Sequence, residues 1–352
     1  MAFTVTLYAN GRQFSVAADE SILEGARRAG LALPYSCLSG VCGSCKASVI
    51  SGTVHYPRNP PQALDSAEQA QHDVLLCQAV ALSDLSLAAR EVVAAEDIPC
   101  RKLQVEVVAK TLLAPDVMCV DLRALSSRRL RWLPGQYVDV LLDDGKRRAF
   151  SIANNANAEG RMQLHVRHVA GGGFTAWVFN DMQPGMRLHI EGPLGTFVPR
   201  EDSERPMIFV AGGTGFAPIK AIVEHFMQLG TARPMHLYWG ARNLAELYLR
   251  ELPTCWAAQS PTLSFHAVLA DPQAAAQAAL RSGMVHTAVL DDFPDLSPFD
   301  VYVCGPPALI DAARHTFAAA GLGEDHLYFD SFEYAPDVIA AILRRRAGIG
   351  AK

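Results

Sequence analysis

The chain has 352 residues, which is enough for two or three domains that each bury a hydrophobic core. Half of its residues are hydrophobic, 19% are charged and its formal net charge is −5, so the composition is that of a globular protein and argues against nucleic acid or an anionic membrane as a partner. No apolar run reaches transmembrane length, and the first residues lack the basic and apolar regions of a signal peptide, so we expect a cytoplasmic protein.

The chain begins with alternating apolar and polar residues on both sides of Asn10-Gly11, which predicts a β-hairpin. A helix is predicted next, because Ser21 and Glu24 form the pattern of a capping box ahead of an apolar face. The loop over residues 34–45 follows, and its cysteines dominate the chemistry of this first segment.

Three cysteines in that loop have the spacing C-x4-C-x2-C, and a fourth lies on a distant predicted strand. This is the spacing of plant-type ferredoxins, in which four thiolates hold two iron ions bridged by sulfide. Structural zinc prefers two C-x2-C units and only one is present, whereas disulfides would suit an exported protein. Residues 1–92 therefore resemble a plant-type ferredoxin domain with an α+β, β-grasp fold, which implies a [2Fe–2S] cluster. The implied ligands are Cys37, Cys42, Cys45 and Cys77.

A linker is predicted over residues 88–99, which contain few large apolar side chains. Beyond it, up to about residue 199, short predicted strands alternate with Gly- and Pro-containing turns, which predicts an antiparallel β-barrel or sandwich. From residue 205 onward apolar strands alternate with helical segments, which indicates an α/β domain with an open parallel sheet. The prediction is therefore a multidomain chain.

The predicted barrel contains the sequence Arg148-Ala149-Phe150-Ser151 on one strand. The arginine can hold a pyrophosphate bidentately, and the phenylalanine, two residues later on the same face, can lie against an isoalloxazine ring. The adjacent hydroxyl can approach the flavin N5. The tetrapeptide resembles the Arg-x-aromatic-Ser motif of the ferredoxin–NADP reductase superfamily, although most members have Tyr where this chain has Phe150.

A second predicted flavin-binding stretch places Gly171-Gly172-Gly173 and Thr175 at the start of a helix. Backbone N–H groups at a helix N-terminus attract anions, and the resemblance assigns the flavin pyrophosphate to this turn. Ser151 fits the FAD-binding version of the motif, so FAD is favoured over FMN. The complete set of predicted flavin contacts is Arg148, Phe150, Ser151, His165, Val166, Gly172, Gly173 and Thr175.

Two glycine-containing stretches at strand ends predict a nicotinamide site. Gly212-Gly213-Thr214-Gly215, followed by Pro218, joins an apolar strand to a helix, where glycines allow a dinucleotide pyrophosphate to touch the backbone. The stretch differs from the G-x-G-x-x-G fingerprint, so it is weak evidence alone. Cys304-Gly305-Pro306 follows another strand, and the resemblance implies that its thiol lies beside the nicotinamide C4.

The last part of the chain adds three predictions. Phe332 resembles the aromatic residue that covers the flavin face in related reductases, and Asp330 is implied to lie near the hydride path. Arg242 is the one basic residue after the second strand of the sheet that could meet a 2′-phosphate, so NADH is favoured over NADPH. The predicted tail, residues 336–352, contains an amphipathic segment that is either a surface helix or a docking element for a redox partner.

All three segments resemble, in order, the single-chain reductases of this superfamily that carry an N-terminal ferredoxin domain. The resemblance implies that NAD(P)H gives a hydride to FAD and that single electrons then pass through the [2Fe–2S] cluster to a partner protein. The favoured partner is the oxygenase component of a multicomponent mono- or dioxygenase. The alternatives are a pyridoxamine-phosphate-dependent CDP-sugar 3-dehydrase, as for CDP-6-deoxy-glucoseen reductase, and a stand-alone flavin reductase.

The resemblance also implies a division of the chain and a set of catalytic residues. The implied domains are a ferredoxin domain over residues 1–95, an FAD-binding antiparallel β-barrel over 100–200, an NAD(P)-binding α/β domain over 204–335 and the tail over 336–352. The implied catalytic residues are Ser151, Cys304, Asp330 and Phe332.

Overall fold

The computed structural model describes residues 2–58, 61–92, 95, 98–125, 130–156 and 160–346. The chain forms two compact units: Met1–Pro99 with Gly195–Val198, and Cys100–Leu194 with Pro199–Lys352. Within the described residues, no helix has both the length and the apolar character needed to cross a membrane. Part of the predicted linker and residues 347–352 of the predicted tail lie outside the described residues. The predicted domain boundaries stay predictions.

The first unit is a mixed β-sheet with two short helices. Its elements are β1 (Ala2–Leu7), β2 (Gln13–Ala17), α1 (Ile22–Arg28), β3 (Lys46–Ser51), β4 (Val54–His55), α2 (Ser66–Ala70), β5 (Asp73–Leu75), β6 (Val80–Ala81) and β7 (Leu85–Ala88). The main sheet has the order β2-β1-β7-β3-β5, with β1 and β7 parallel, and β4 pairs with β6 in a separate ribbon. The antiparallel pairing of β1 and β2 confirms the hairpin predicted around Asn10-Gly11.

Helix α1 begins where the sequence predicts it to begin. The Ser21 side chain accepts a hydrogen bond from the Glu24 N–H at 3.2 Å. Ile22 and Leu23 are buried against the sheet, and each such side chain contributes about 1.5–3 kcal/mol through burial. The segment Gly195–Val198 belongs to this unit, since the Thr196 hydroxyl accepts a hydrogen bond from the Tyr35 N–H at 2.8 Å.

The second unit begins with an antiparallel sheet. Its elements are β8 (Arg101–Ala114), β9 (Val117–Ala124), β10 (Tyr137–Leu141), β11 (Arg147–Ser151), β12 (Arg161–Arg167), α3 (Gly173–Asn180) and β13 (Arg187–Leu194). The strand order is β11-β10-β13-β8-β9-β12, and every neighbouring pair is antiparallel. An antiparallel bridge between Ile152 and Leu164 joins the two ends of this order, so the sheet closes as a barrel.

A parallel sheet forms the rest of the second unit. Its elements are β14 (Met207–Gly212), α4 (Phe216–Gln228), β15 (Met235–Ala241), α5 (Glu251–Gln259), β16 (Leu263–Leu269), α6 (Pro272–Ala278), β17 (Arg281–Ser282), α7 (Val285–Asp292), β18 (Asp300–Gly305), α8 (Pro307–Ala319), β19 (Leu327–Ser331) and α9 (Pro336–Arg346). All pairs in the order β17-β16-β15-β14-β18-β19 are parallel, as expected for strands connected by crossover helices. The predicted fold class is therefore confirmed.

Candidate functional site

The four predicted ligand cysteines come together in the first unit as two pairs. A hydrogen bond from Cys42 lowers the pKa of the Cys37 thiol to about 5, and the same contact together with burial raises the pKa of Cys42. In the second pair, a hydrogen bond from Cys45 lowers the pKa of Cys77, while the pKa of Cys45 is raised by that contact and by burial. Each pair therefore contains one thiol with a lowered pKa and one with a raised pKa.

The loop around these thiols is shaped to stabilise negative charge on sulfur. The Ser39 and Ser44 N–H groups point at the sulfurs of Cys37 and Cys42, at 3.4 and 3.5 Å. Gly40 has φ +79°, in the left-handed region that favours glycine, and its backbone lies against the side chain of Gln78. Donors aimed at thiolates lower the cost of burying their charge.

This arrangement fits a two-iron cluster. Among the described residues, no three His, Cys, Asp or Glu side chains are arranged around a single metal ion. A [2Fe–2S] cluster requires a different arrangement, namely two thiolates on each of two irons. The pairs Cys37–Cys42 and Cys45–Cys77 supply that donor set, so the residues present fit the group that their spacing implies.

The predicted flavin residues lie at one end of the barrel. Arg148 is largely buried on β11, and Phe150 packs against Phe174 with ring centroids 5.6 Å apart. At the start of α3, the Thr175 hydroxyl accepts from the Val169 N–H at 3.1 Å and donates to the Gly172 carbonyl at 3.1 Å. The Thr175 side chain thus fixes the turn, and the first N–H groups of α3 stay available for an anion.

The opposite end of α3 is held by a lysine. The Lys110 ammonium donates to the carbonyl groups of Val178, Phe179 and Met182 at 2.9 to 3.2 Å. A cation at a helix C-terminus stabilises the orphan carbonyls and the helix dipole. Lys110 therefore supports the helix whose other end carries the predicted pyrophosphate turn.

An acidic residue from the C-terminal helix already contacts the predicted pyrophosphate arginine. The Arg148 Nη2 donates to the Asp337 Oδ2 at 2.6 Å, and Asp337 lies in the first turn of α9. Only residues 336–346 of the tail are described, and in them Val338 is buried. The choice between a surface helix and a partner-docking element stays open, but α9 does contact the barrel.

We expect Asp337→Asn to tighten FAD binding by roughly three- to tenfold, because a carboxylate competes with a diphosphate for the Arg148 guanidinium. Titration of apoprotein with FAD, followed by quenching of flavin fluorescence, gives the dissociation constants. Asp311→Asn, at an exposed position of α8, is the matched control and should leave the constant unchanged. Weaker FAD binding by Asp337→Asn would instead mean that the carboxylate orients Arg148 for the cofactor.

Two of the predicted flavin contacts are packed inside the second unit. His165 is buried on β12, and its Nδ1 lies 3.0 Å from the Tyr248 hydroxyl. Burial, with a smaller effect from the Lys220 charge, lowers the pKa of His165 to about 3, so its imidazole stays neutral. Val166 is buried in the barrel core. Both side chains are used in packing, and both residues lie in the antiparallel ladder with β9.

The two predicted nicotinamide loops meet at the carboxyl edge of the parallel sheet. Strands β14 and β18 are neighbours, and the two loops follow them. A Cβ at Gly215 would overlap the Cys304 carbonyl oxygen, and one at Gly212 would lie 2.9 Å from Pro306 Cδ. Pro218 is buried in α4, directly behind the first loop. Ligands bind at this edge of such sheets, and the two packed loops together form one surface for a dinucleotide, called here the platform.

Three of the four predicted catalytic residues lie beside this platform. Cys304 is fully buried and in register with Asp330 on β19, and the Phe332 N–H donates to the Gly305 carbonyl at 2.8 Å. Burial, with the nearby Asp330 charge, raises the pKa of Cys304 well above its usual range, so the thiol stays protonated. Ser151 is buried at the end of β11, in the antiparallel barrel.

Arg242 lies where the sequence predicts it, just after β15, but it has an acidic partner. Its guanidinium is 2.5 Å from the Glu246 carboxylate. The Glu246 side chain is mostly buried, whereas that of Arg242 is 77% exposed. Since the carboxylate neutralises the arginine, this corner of the site is poorly suited to a 2′-phosphate.

Arg167 is a candidate that the sequence analysis missed. It ends β12; its Nη1 lies 3.5 Å from Asp116 and 3.8 Å from Glu246. Its Nε and Nη2 are buried and have no hydrogen-bond partner among the described residues. A Cβ at Gly213 would lie 3.7 Å from Nη2, so the unsatisfied side of the guanidinium faces the first nicotinamide loop. The sequence feature that could have identified Arg167 is its position at the end of a predicted strand, just before the turn Gly171-Gly172-Gly173.

Comparison with known proteins identifies three domains in this chain. Residues 5–82 match the model of the 2Fe-2S iron-sulfur cluster binding domain. Residues 104–198 match the FAD-binding domain of oxidoreductases, and residues 209–315 match the NAD-binding domain of oxidoreductases.

Relatives with similar sequences match almost the full length of the chain. It is 36% identical over 337 residues to the CDP-6-deoxy-L-threo-D-glycero-4-hexulose-3-dehydrase reductase of Yersinia pseudotuberculosis, covering 94% of this chain and 99% of the relative. It is 33% identical over 323 residues to the reductase component 1 of terephthalate 1,2-dioxygenase from Comamonas sp., covering 92% and 95%. The cytochrome P450 reductase GcoB of Amycolatopsis has a similar structure, with a TM-score of 0.75, 32% identity and coverage of 94% and 98%.

Proposed function

This chain belongs to the reductases that combine a [2Fe–2S] ferredoxin domain, an FAD-binding domain and an NAD-binding domain, and we propose that it carries electrons from NADH to the oxygenase component of a mono- or dioxygenase. One observation supports this electron route. The same chain contains two pairs of thiols that can hold a cluster, and two packed glycine-containing loops that can bind a dinucleotide. FAD and the cluster supply the change from two-electron to one-electron chemistry.

The residues of the second unit have separate proposed tasks. Arg148 and the N-terminus of α3 hold the FAD pyrophosphate, in line with their burial and position. The protonated Cys304 thiol would give an uncharged surface beside the nicotinamide, and Phe332 would lie over the flavin face. Ser151 offers a hydroxyl to the flavin, and the buried Asp330 stands beside Cys304.

We propose NADH as the physiological donor on the basis of charge around β15. Glu246 can accept a hydrogen bond from the ribose 2′-hydroxyl, as the acidic residue of dinucleotide sites does. Arg242, the cation that could have met that phosphate, is paired with Glu246. Arg167, whose unsatisfied N–H groups face Gly213, is proposed to bind the dinucleotide diphosphate.

Anaerobic titration with NADH and then NADPH tests this function. We expect near-stoichiometric NADH to bleach the flavin absorbance and to produce the low-temperature EPR signal of a reduced [2Fe–2S] cluster, with roughly tenfold more NADPH needed for the same effect. Flavin bleaching without the EPR signal would contradict the proposal and leave a stand-alone flavin reductase. Equal efficiency of both nucleotides would contradict only the donor assignment.

A second acceptor is supported by the Yersinia relative, whose printed name is that of a hexulose-3-dehydrase reductase. Reconstitution decides between the two partners: the purified chain is mixed with oxygenase subunits, or with a pyridoxamine-phosphate-dependent sugar dehydrase, chosen from neighbouring genes. Product formation that depends on this chain identifies the acceptor. The cytoplasm remains the proposed location, because free thiols and an iron–sulfur cluster suit a reducing compartment.

A further inference from the structure

A buried tryptophan contacts the first nicotinamide loop, which follows β14 and contains Gly213, Thr214 and Gly215. Trp239 lies on β15 and is fully buried, and its indole Nε1 donates a hydrogen bond to the Gly213 carbonyl at 2.9 Å. Its ring is stacked on Phe216 with centroids 3.8 Å apart and planes 12° apart, and Tyr248 meets it edge-on. The indole is therefore held in one orientation by packing on two sides.

The Gly213 carbonyl has a second donor, the N–H of Phe216 at the start of α4. The carbonyl is thus fixed toward the interior by two hydrogen bonds, and Gly213 has a positive φ of +55°, in the region that favours glycine. In a trans peptide, a carbonyl and the following N–H point in opposite directions. Holding the Gly213 oxygen inward therefore turns the Thr214 N–H away from the indole, at a half-exposed position of the loop.

We propose that Trp239 is a positioning residue for the dinucleotide: its indole N–H sets the Gly213–Thr214 peptide so that the Thr214 N–H meets the diphosphate. The proposal rests on the proposed function of this loop. The proposal also gives Arg167 a role. Its guanidinium lies beside Gly213, so its Nε and Nη2, which have no hydrogen-bond partner among the described residues, and the Thr214 N–H could bind the same anion. The stack on Phe216 alone would require only an aromatic ring, whereas the hydrogen bond requires the indole N–H.

Steady-state kinetics of Trp239→Phe with ferricyanide as acceptor test the proposal. Phenylalanine keeps an aromatic ring on Phe216 and removes the donor, so KM for NADH should rise roughly three- to tenfold while kcat changes by less than about twofold. Trp256→Phe is the matched control: Trp256 packs on the same Phe216 ring at 6.4 Å but belongs to α5, away from the loop. Its KM should equal that of the wild type.

Four outcomes overturn the proposal. An unchanged KM in Trp239→Phe, or an equal rise in both variants, would reduce Trp239 to a core residue. Failure of NADH to reduce the wild type would reject the proposed function together with the inference. If Trp239→Phe does not fold, hydrogen–deuterium exchange of the wild type replaces it: NAD+ must slow exchange of the Thr214 amide, and unchanged exchange overturns the inference.

Discussion

Replacing Cys77 by serine should reduce NADH-driven reduction of cytochrome c by at least about 100-fold, while reduction of ferricyanide stays within about twofold. Cytochrome c is taken to receive single electrons from the cluster, whereas ferricyanide can also accept them directly from the flavin. Cys77 is paired with Cys45, and the Gln78 amide next to it donates to the Leu38 carbonyl in the cysteine loop at 2.9 Å. Without this thiolate, Cys45 alone would remain of the pair that would hold one of the two irons.

The control for this prediction is Cys255→Ser, which changes an exposed thiol on α5 and should preserve both activities. Iron and sulfide analysis of each variant accompanies the two assays. If Cys77→Ser lost both activities equally, the substitution would be disrupting the whole protein rather than one electron step. Full cytochrome c reduction with an intact cluster would remove Cys77 from the ligand set.

The fold was predictable because its strongest signals are local. The hairpin at Asn10-Gly11 follows from turn chemistry, and the N-cap hydrogen bond of α1 joins Ser21 to Glu24, only three residues apart. The alternation of strands and helices after residue 205 likewise needs no knowledge of distant contacts. Closure of the barrel could not be derived in this way, because the bridge between Ile152 and Leu164 depends on the order in which strands pair.

The site was only partly predictable, for a physical reason. The proposed roles of three residues depend on contacts with distant parts of the chain: Arg167, Glu246 and Asp337. The spacing of residues in the sequence does not show which charged groups will have partners in the fold. The loop after β14 also has a requirement that the sequence did not reveal. Its glycines were predicted to admit a pyrophosphate, but Gly215 is also required because the backbone of Cys304 occupies the space of its Cβ. One residue type thus meets two constraints, and only one of them is visible in the sequence.

The unsatisfied guanidinium of Arg167 leads to a prediction in which binding and stability change in opposite directions. Arg167→Met should raise KM for NADH by roughly 10- to 100-fold, since a hydrogen bond to a charged group contributes about 1.5–3 kcal/mol. The free protein should keep or gain thermal stability, because each buried N–H without a partner costs about 1–3 kcal/mol and methionine retains the packing of the stem. Both effects come from the same two nitrogens, Nε and Nη2.

Ferricyanide kinetics and thermal denaturation without nucleotide, measured on the same preparations, check both halves of this prediction. Arg187→Met is the control, since Arg187 is an exposed residue at the start of β13 and its substitution should alter neither KM nor the melting temperature. A fall in melting temperature with an unchanged KM would mean that Asp116 and Glu246 hold Arg167 as a structural ion pair. A raised KM without a loss of stability is expected only if the Arg167 Nε and Nη2 lack hydrogen-bond partners until the diphosphate binds.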